Sequence, residues 1–286
     1  MALLSQLYKK TRVGAMDCKT LFCYHFPMIG FLIKKTLYDL WDNMFRIVLL
    51  NLGFFICTAI PLLPALFPNV FGSNPFLLIF AVLGVLICSI YLATAAFTLK
   101  SISDYGNFTF QDFFRNIKKA WLAGAAMFVF LFIIYVVLTV VIPFYAAMAS
   151  LLGLILSAIL IWVVIFAFLS FQFYFSVYSR LGMNLIKSFK KCMLISLDNT
   201  GMAIFLLIHN TLALLVSIIF VFMFPGPAGV LLYLDEALRL RLLKYNYLEA
   251  HPEADRKKIP WDALLIDERE KTGNRTLRNF IFPWKD

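Results

Sequence analysis

Charge is missing from three long stretches of this chain. Its 26 Lys and Arg and its 16 Asp and Glu all lie outside Ile47–Leu99, Ala120–Ser179 and Asn199–Leu234, blocks of 53, 60 and 36 residues. A helix on the surface of a soluble domain keeps one face in water and gathers charge every turn or two, so runs of this length exclude an ordinary soluble fold. In hydrocarbon each central Asp, Lys or Arg costs about 3 kcal/mol, which accounts for the gaps. The runs also lack the apolar–polar alternation of a transmembrane β-barrel. A lipid-embedded backbone must then pair its own N–H and C=O groups within helices.

Other absences narrow the chemistry. The five cysteines, Cys18, Cys23, Cys57, Cys88 and Cys192, form no disulfide framework, and reduced thiols are expected. Cys18, Cys23 and His25 have neither the spacing of a zinc finger nor a fourth ligand, so no metal is expected. The chain contains no Walker phosphate loop, no Gly-x-Gly-x-x-Gly, no His-Glu-x-x-His and no Gly-x-Ser-x-Gly. A non-catalytic protein without cofactor is the reading that remains. The apolar run Phe26–Ile33 is too short, and too closely flanked by charge, for a secretory signal; the first crossing would itself direct insertion.

What is present points to an all-α, polytopic membrane protein. Hydrophobic residues make up 62%, mean hydropathy is +0.84, and charged residues reach only 15%, against about 25% in soluble domains. At about 20 residues per crossing, the first two blocks each hold a helical hairpin and the third holds one crossing with a remainder, giving five to six transmembrane helices. The first hairpin turns at Pro68-Asn-Val-Phe-Gly-Ser-Asn-Pro75 and the second near Pro143, with 146–150 facing outward. Ahead of each block stands a similar amphipathic segment, Leu37–Arg46, Phe110–Lys119 and Met183–Cys192, a weak threefold repeat that reads as short helices lying in the headgroup layer.

The chain therefore divides into a segment 1–46 with its interfacial helix, a hairpin 47–99, a connector 100–119, a hairpin 120–179, a connector 180–198, a third membrane unit 199–248 broken at 225–227, and a polar tail 249–286. Seven basic residues lie in Met1–Arg46, four in Lys100–Lys119, four in Arg180–Lys191 and eleven after Leu234, while the two hairpin turns have none. By the positive-inside rule the N-terminus and both connectors are cytoplasmic. The net charge of +10 then belongs to topology and to anionic lipid headgroups rather than to nucleic acid.

The third block decides the C-terminus. Pro225-Gly-Pro227 breaks the helix, and seven apolar residues follow before Asp235. If 228–248 returns through the bilayer, Asp235 and Glu236 fall near the midplane about 13 Å from the helix start, with Arg239 at i+4 and i+3 as the partner on offer. The six Lys and Arg in Arg239–Lys258 favour this sixth crossing and a cytoplasmic tail. Candidate intramembrane polar residues are thus Asn51, Gln172, His209 and Asn210, read as interhelical packing elements, with Asp235, Glu236 and Arg239 as a candidate ion or solute site. Candidate docking residues are Phe113 and Phe114 in the connector and Trp261, Phe280, Phe282 and Trp284 in the tail, which packs on the protein's own inner face or on a partner. Gly84, Gly124 and Gly153 read as points of close helix packing.

Asn51, then Ile60-Pro61 and Pro64-Ala65, a second helix, and the connector Thr98-Leu-Lys-Ser-Ile-Ser-Asp-Tyr-Gly-Asn-Phe-Thr-Phe-Gln-Asp-Phe-Phe-Arg-Asn-Ile-Lys-Lys119 together resemble the YesL-like family of bacterial integral membrane proteins. The likeness covers about Asn51 to Tyr135, with leucines at 62 and 63 where that family has threonine before Pro-Ala. It implies a small polytopic protein of the bacterial inner membrane, of unestablished biochemistry, often encoded beside sugar ABC importers. A permease or ATPase is the partner so implied. The resemblance carries no catalytic residue, and oligomeric state is not legible. In a background lacking the five native cysteines, Ser73→Cys should react with an impermeant maleimide in intact cells. Reaction only after permeabilisation would reverse the orientation.

Overall fold

A computed structural model describes residues 18–63, 67, 74–148, 150–182, 184–256 and 259–273, with backbone alone for 18–27 and 74–77. All regular structure among them is helical: α1 (Cys18–Asp42), α2 (Met44–Ala59, continued by a 3₁₀ turn Ile60–Leu62), α3 (Asn74–Ser103), α4 (Phe110–Val136), a π-helical turn Val137–Val141, α5 (Ile142–Ala147), α6 (Leu151–Phe171), α7 (Tyr174–Leu181), α8 (Leu185–Asp198), α9 (Thr200–Ile219), α10 (Gly226–Ala250), and the short α11 (Trp261–Leu264) and α12 (Ile266–Thr272). Five stretches are long and apolar enough to cross a membrane: Met44–Leu62, Leu78–Ser103, Phe110–Ala147, Leu151–Phe171 and Thr200–Ile219. Two compact units are formed, one of Leu40–Asp235 and one of Met1–Asp39 with Glu236–Asp286.

In the larger unit, α3 and α4 form an antiparallel hairpin. Its approach is set by Gly124, where an added Cβ would lie 2.4 Å from the Ile90 Cα. Gly84 meets Pro61 and Gly153 meets the Tyr145 carbonyl in the same way, so all three glycines expected at close contacts are found there. Thr109 opens α4 with a capping box: its backbone N–H donates to the Asp112 carboxylate, and the Asp112 N–H donates to the Thr109 hydroxyl. Ser150 caps α6 by accepting from the Gly153 N–H at 3.1 Å.

Two local expectations need correction. Pro143 does not turn the second hairpin. It lies within the helix that continues from α4 through the π-helical turn, and the chain reverses after Ala147, inside the expected turn 146–150. The amphipathic segment from Phe110 is not a separate interfacial helix either, because α4 runs unbroken from Thr109 into the span. The third such segment is separate, as α8, and the first is split between α1 and α2 at Asn43.

α10 differs from every crossing helix. Leu231–Leu238 are eight successive buried residues, more than two turns, so this part of the helix is enclosed by protein on every side. Its start is held by Asn51, which is itself buried. The Asn51 amide donates to the Met223 carbonyl at 2.9 Å and to the Pro225 carbonyl at 2.8 Å, and its Oδ1 accepts from the Ala228 N–H at 2.9 Å. The Gly226 N–H is taken by Ser217 Oγ, and at φ +61° with Asn51 against it the position admits no Cβ. Asn51→Ala would orphan the Ala228 N–H and the Met223 carbonyl, while the Pro225 carbonyl keeps the Gly229 N–H, and should cost about 2–4 kcal/mol in detergent unfolding. Asn51→Asp keeps one bond but sets a carboxylate against two carbonyls, and should be at least as damaging. An unchanged midpoint for Asn51→Ala would show that the prolines alone hold the break.

Candidate functional site

The three charge-free blocks end together. Leu99, Ser179 and Leu234 are their last residues, and the ionisable groups that follow are joined in the larger unit. Arg180 Nε donates to Asp235 Oδ1 at 2.9 Å and its Nη2 donates to Oδ2, a two-point contact that fixes both planes. The same guanidinium reaches Asp104 at 3.0 Å and the Ser103 hydroxyl at 2.8 Å, and Lys100 Nζ donates to the Ser179 carbonyl at 3.2 Å. Asp235 is fully buried and Asp104 is exposed. Burial pulls the Arg180 guanidinium down in pKa, and Asp235 with Asp104 more than offsets this, so the cation is held above its ordinary value.

Asp235 therefore does not lie near the midplane. Its partner Arg180 also meets Ser103, the last residue of the span Leu78–Ser103, and Asp104 in the connector beyond it. The reason is the position of the break: α10 begins beside Asn51, only seven residues into α2, and nine helical steps of 1.5 Å carry it about 13 Å to the connector level. Arg239, the partner expected for both acids, instead donates to Glu268 at 2.9 Å in the smaller unit.

Within that smaller unit Glu236 accepts from Lys35 Nζ at 3.3 Å and from the Thr36 hydroxyl, and Lys35 also pairs with Asp39. Lys35, Thr36 and Glu236 are all buried. Trp261, expected to pack on the protein's own inner face or on a partner, is likewise buried: the Arg241 guanidinium lies 5.8 Å from its ring centroid, and Leu265 and Ile259 are buried with it. The tail as far as Gly273 packs on its own unit. Phe280, Phe282 and Trp284 lie outside the described residues.

The remaining sequence candidates are separated. Gln172 Nε2 donates to the Ala203 carbonyl at 2.9 Å, joining the end of α6 to α9, and Asn51 ties α2 to α10, both as interhelical packing elements. His209 stacks on Tyr233 with ring centroids 3.9 Å apart and 16° between planes. Asn210 is buried, and its Oδ1 has no partner among the described residues. Phe113 is half-buried against Tyr91 at 5.3 Å and Phe114 stands exposed, so only the second is free for docking.

Sequence reasoning missed Arg180, Asp104, Lys35 and Thr36. Arg180 was within reach: it and Asp235 are the first ionisable groups after two charge-free blocks that end at one level, and opposite signs there invite pairing, whereas Asp104 comes after Lys100. Lys35 and Thr36, 200 residues from Glu236, left no such signal. Together the fold and these ion pairs define a helical multi-pass membrane protein. Compared with family models, curated proteins and solved structures, the chain matches none.

Asp235→Asn should destabilise the protein by about 3 kcal/mol, the low end for breaking a buried pair, because Arg180 keeps Asp104. Adding Arg180→Gln should recover much of that loss, and a double-mutant cycle on unfolding midpoints gives the coupling. Additive losses would mean that the pair is not coupled.

Proposed function

We propose that this protein is a non-catalytic accessory or assembly subunit of a membrane complex, in the class of the sugar ABC importers to which the YesL-like resemblance points. The observation that carries this reading is the state of Asp235 and Glu236. A solute or ion site built on α10 would need a carboxylate open to its cargo. Asp235 is instead held at two points by Arg180, and Glu236 by Lys35 and Thr36. Charges matched in this way anchor a helix and leave little for transport to use.

The joining of the three block ends supports a common side for the 104–109 connector, Arg180 and Asp235. With Lys and Arg concentrated there, the bacterial cytoplasm is the side proposed, and the chain after Asp235 continues from it. This makes α9 and the first turns of α10 a third, shallow hairpin.

Purification of the tagged protein from its native membranes in a mild detergent should bring with it a stoichiometric permease or ATPase. Solute or proton flux through proteoliposomes of the pure protein, abolished by Asp235→Asn, would overturn the proposal in favour of a transporter.

A further inference from the structure

α4 is too long for the bilayer it enters. With its continuation through Ala147 it spans 38 residues, about 57 Å at 1.5 Å per residue against about 30 Å of hydrocarbon. The excess holds the charges, since residues 120–147 have none and Arg115, Lys118 and Lys119 stand before them. This first part of the helix has three faces. Phe113, Asn116, Ala120 and Gly124 turn toward α3, with Phe113 against Tyr91, Asn116 donating to Thr98 Oγ1 at 3.3 Å and Gly124 against Ile90.

A second face is apolar and uncovered. Phe110, Phe114, Ile117 and Trp121 are 53%, 67%, 36% and 53% exposed. At about 100° per residue they fall within about 60° of arc, and Phe132 and Tyr135, deep in the uncharged part and also exposed, fall on the same line. The surface that meets acyl chains in the span thus continues without interruption beyond it. Beside this line, over roughly the next 100° of arc, come Lys118, Arg115 and Lys119, all exposed. Arg115 also pairs with Asp112, whose carboxylate caps Thr109 on the far side of the helix.

We infer that this face is a binding site for anionic phospholipid. The stripe from Phe110 to Trp121 lies along the upper acyl chains, with Trp121 at the depth where indole rings favour the interface. Lys118 flanks the apolar line, and Arg115 and Lys119 carry the positive charge on around the helix at the level of the phosphates. A water-soluble partner would need no stripe continuous with the lipid face of the span. Lipid does, and the three cations add the sign of its headgroup.

The test measures lipid selectivity at the protein surface. Wild-type protein reconstituted in phosphatidylcholine bilayers, with trace spin-labelled phosphatidylglycerol or phosphatidylcholine, should immobilise the anionic label preferentially. Each cation near the headgroups contributes up to about fivefold. The triple variant Arg115→Gln, Lys118→Gln, Lys119→Gln should lose most of this preference while keeping its helix content and unfolding midpoint. Phe114→Ser should lower immobilisation of both labels near this face without changing their ratio. No preference in the wild type would overturn the inference. So would a triple variant that keeps the preference, including one that loses a co-purifying protein at the same time, which would make this a protein-docking face.

Discussion

α10 can exist where it does only because its two buried carboxylates each meet a cation. Eight successive buried residues include an aspartate and a glutamate, and an unpaired carboxylate in such a place would cost several kcal/mol. Arg180 answers Asp235 and Lys35 answers Glu236. Neither pair need add much to stability over a well-packed apolar equivalent, since desolvating the ions consumes most of their attraction. What they confer is position. Leucines would tolerate rotation or a slip of α10, whereas a two-point guanidinium–carboxylate contact does not.

That register depends on where α10 begins, and Asn51 determines it. One side chain takes two carbonyls and one N–H from the broken segment, groups that water would satisfy in a soluble loop. Within an apolar layer irregular backbone is tolerated only when protein supplies such partners. The break and the ion pair are thus two ends of one constraint. Asn51 fixes the start of the helix, and nine residues later Asp235 arrives at the level of Ser103 and Arg180.

The outer surfaces follow a different rule. Around the crossing helices large apolar residues stay exposed, as lipid requires, and close contact is left to glycines such as Gly84 and Gly124. On α4 the exposed apolar line passes from the span into the charged region without a break. One continuous helix therefore carries an exposed apolar line, a cationic flank and the α3 interface at the same time.

The helical membrane class and the break at Pro225 were legible in the chain, because the cost of burying charge in hydrocarbon and the missing proline N–H act residue by residue, whereas the sixth crossing favoured over 228–248 is not among the five helices long and apolar enough to span. Also legible were the close-packing glycines and the packing roles of Asn51 and Gln172. Depth and partnership were not. A count of 1.5 Å per residue from an assumed outer face put Asp235 at the midplane and offered Arg239 from the next turn. The tertiary structure put its partner 55 residues away on α7, because Asn51 holds the start of the helix beside the second turn of α2. Local sequence determines which segments enter lipid, a property of each segment's own transfer energy. Which buried charge meets which depends on how helices distant in sequence align, and packing alone decided that.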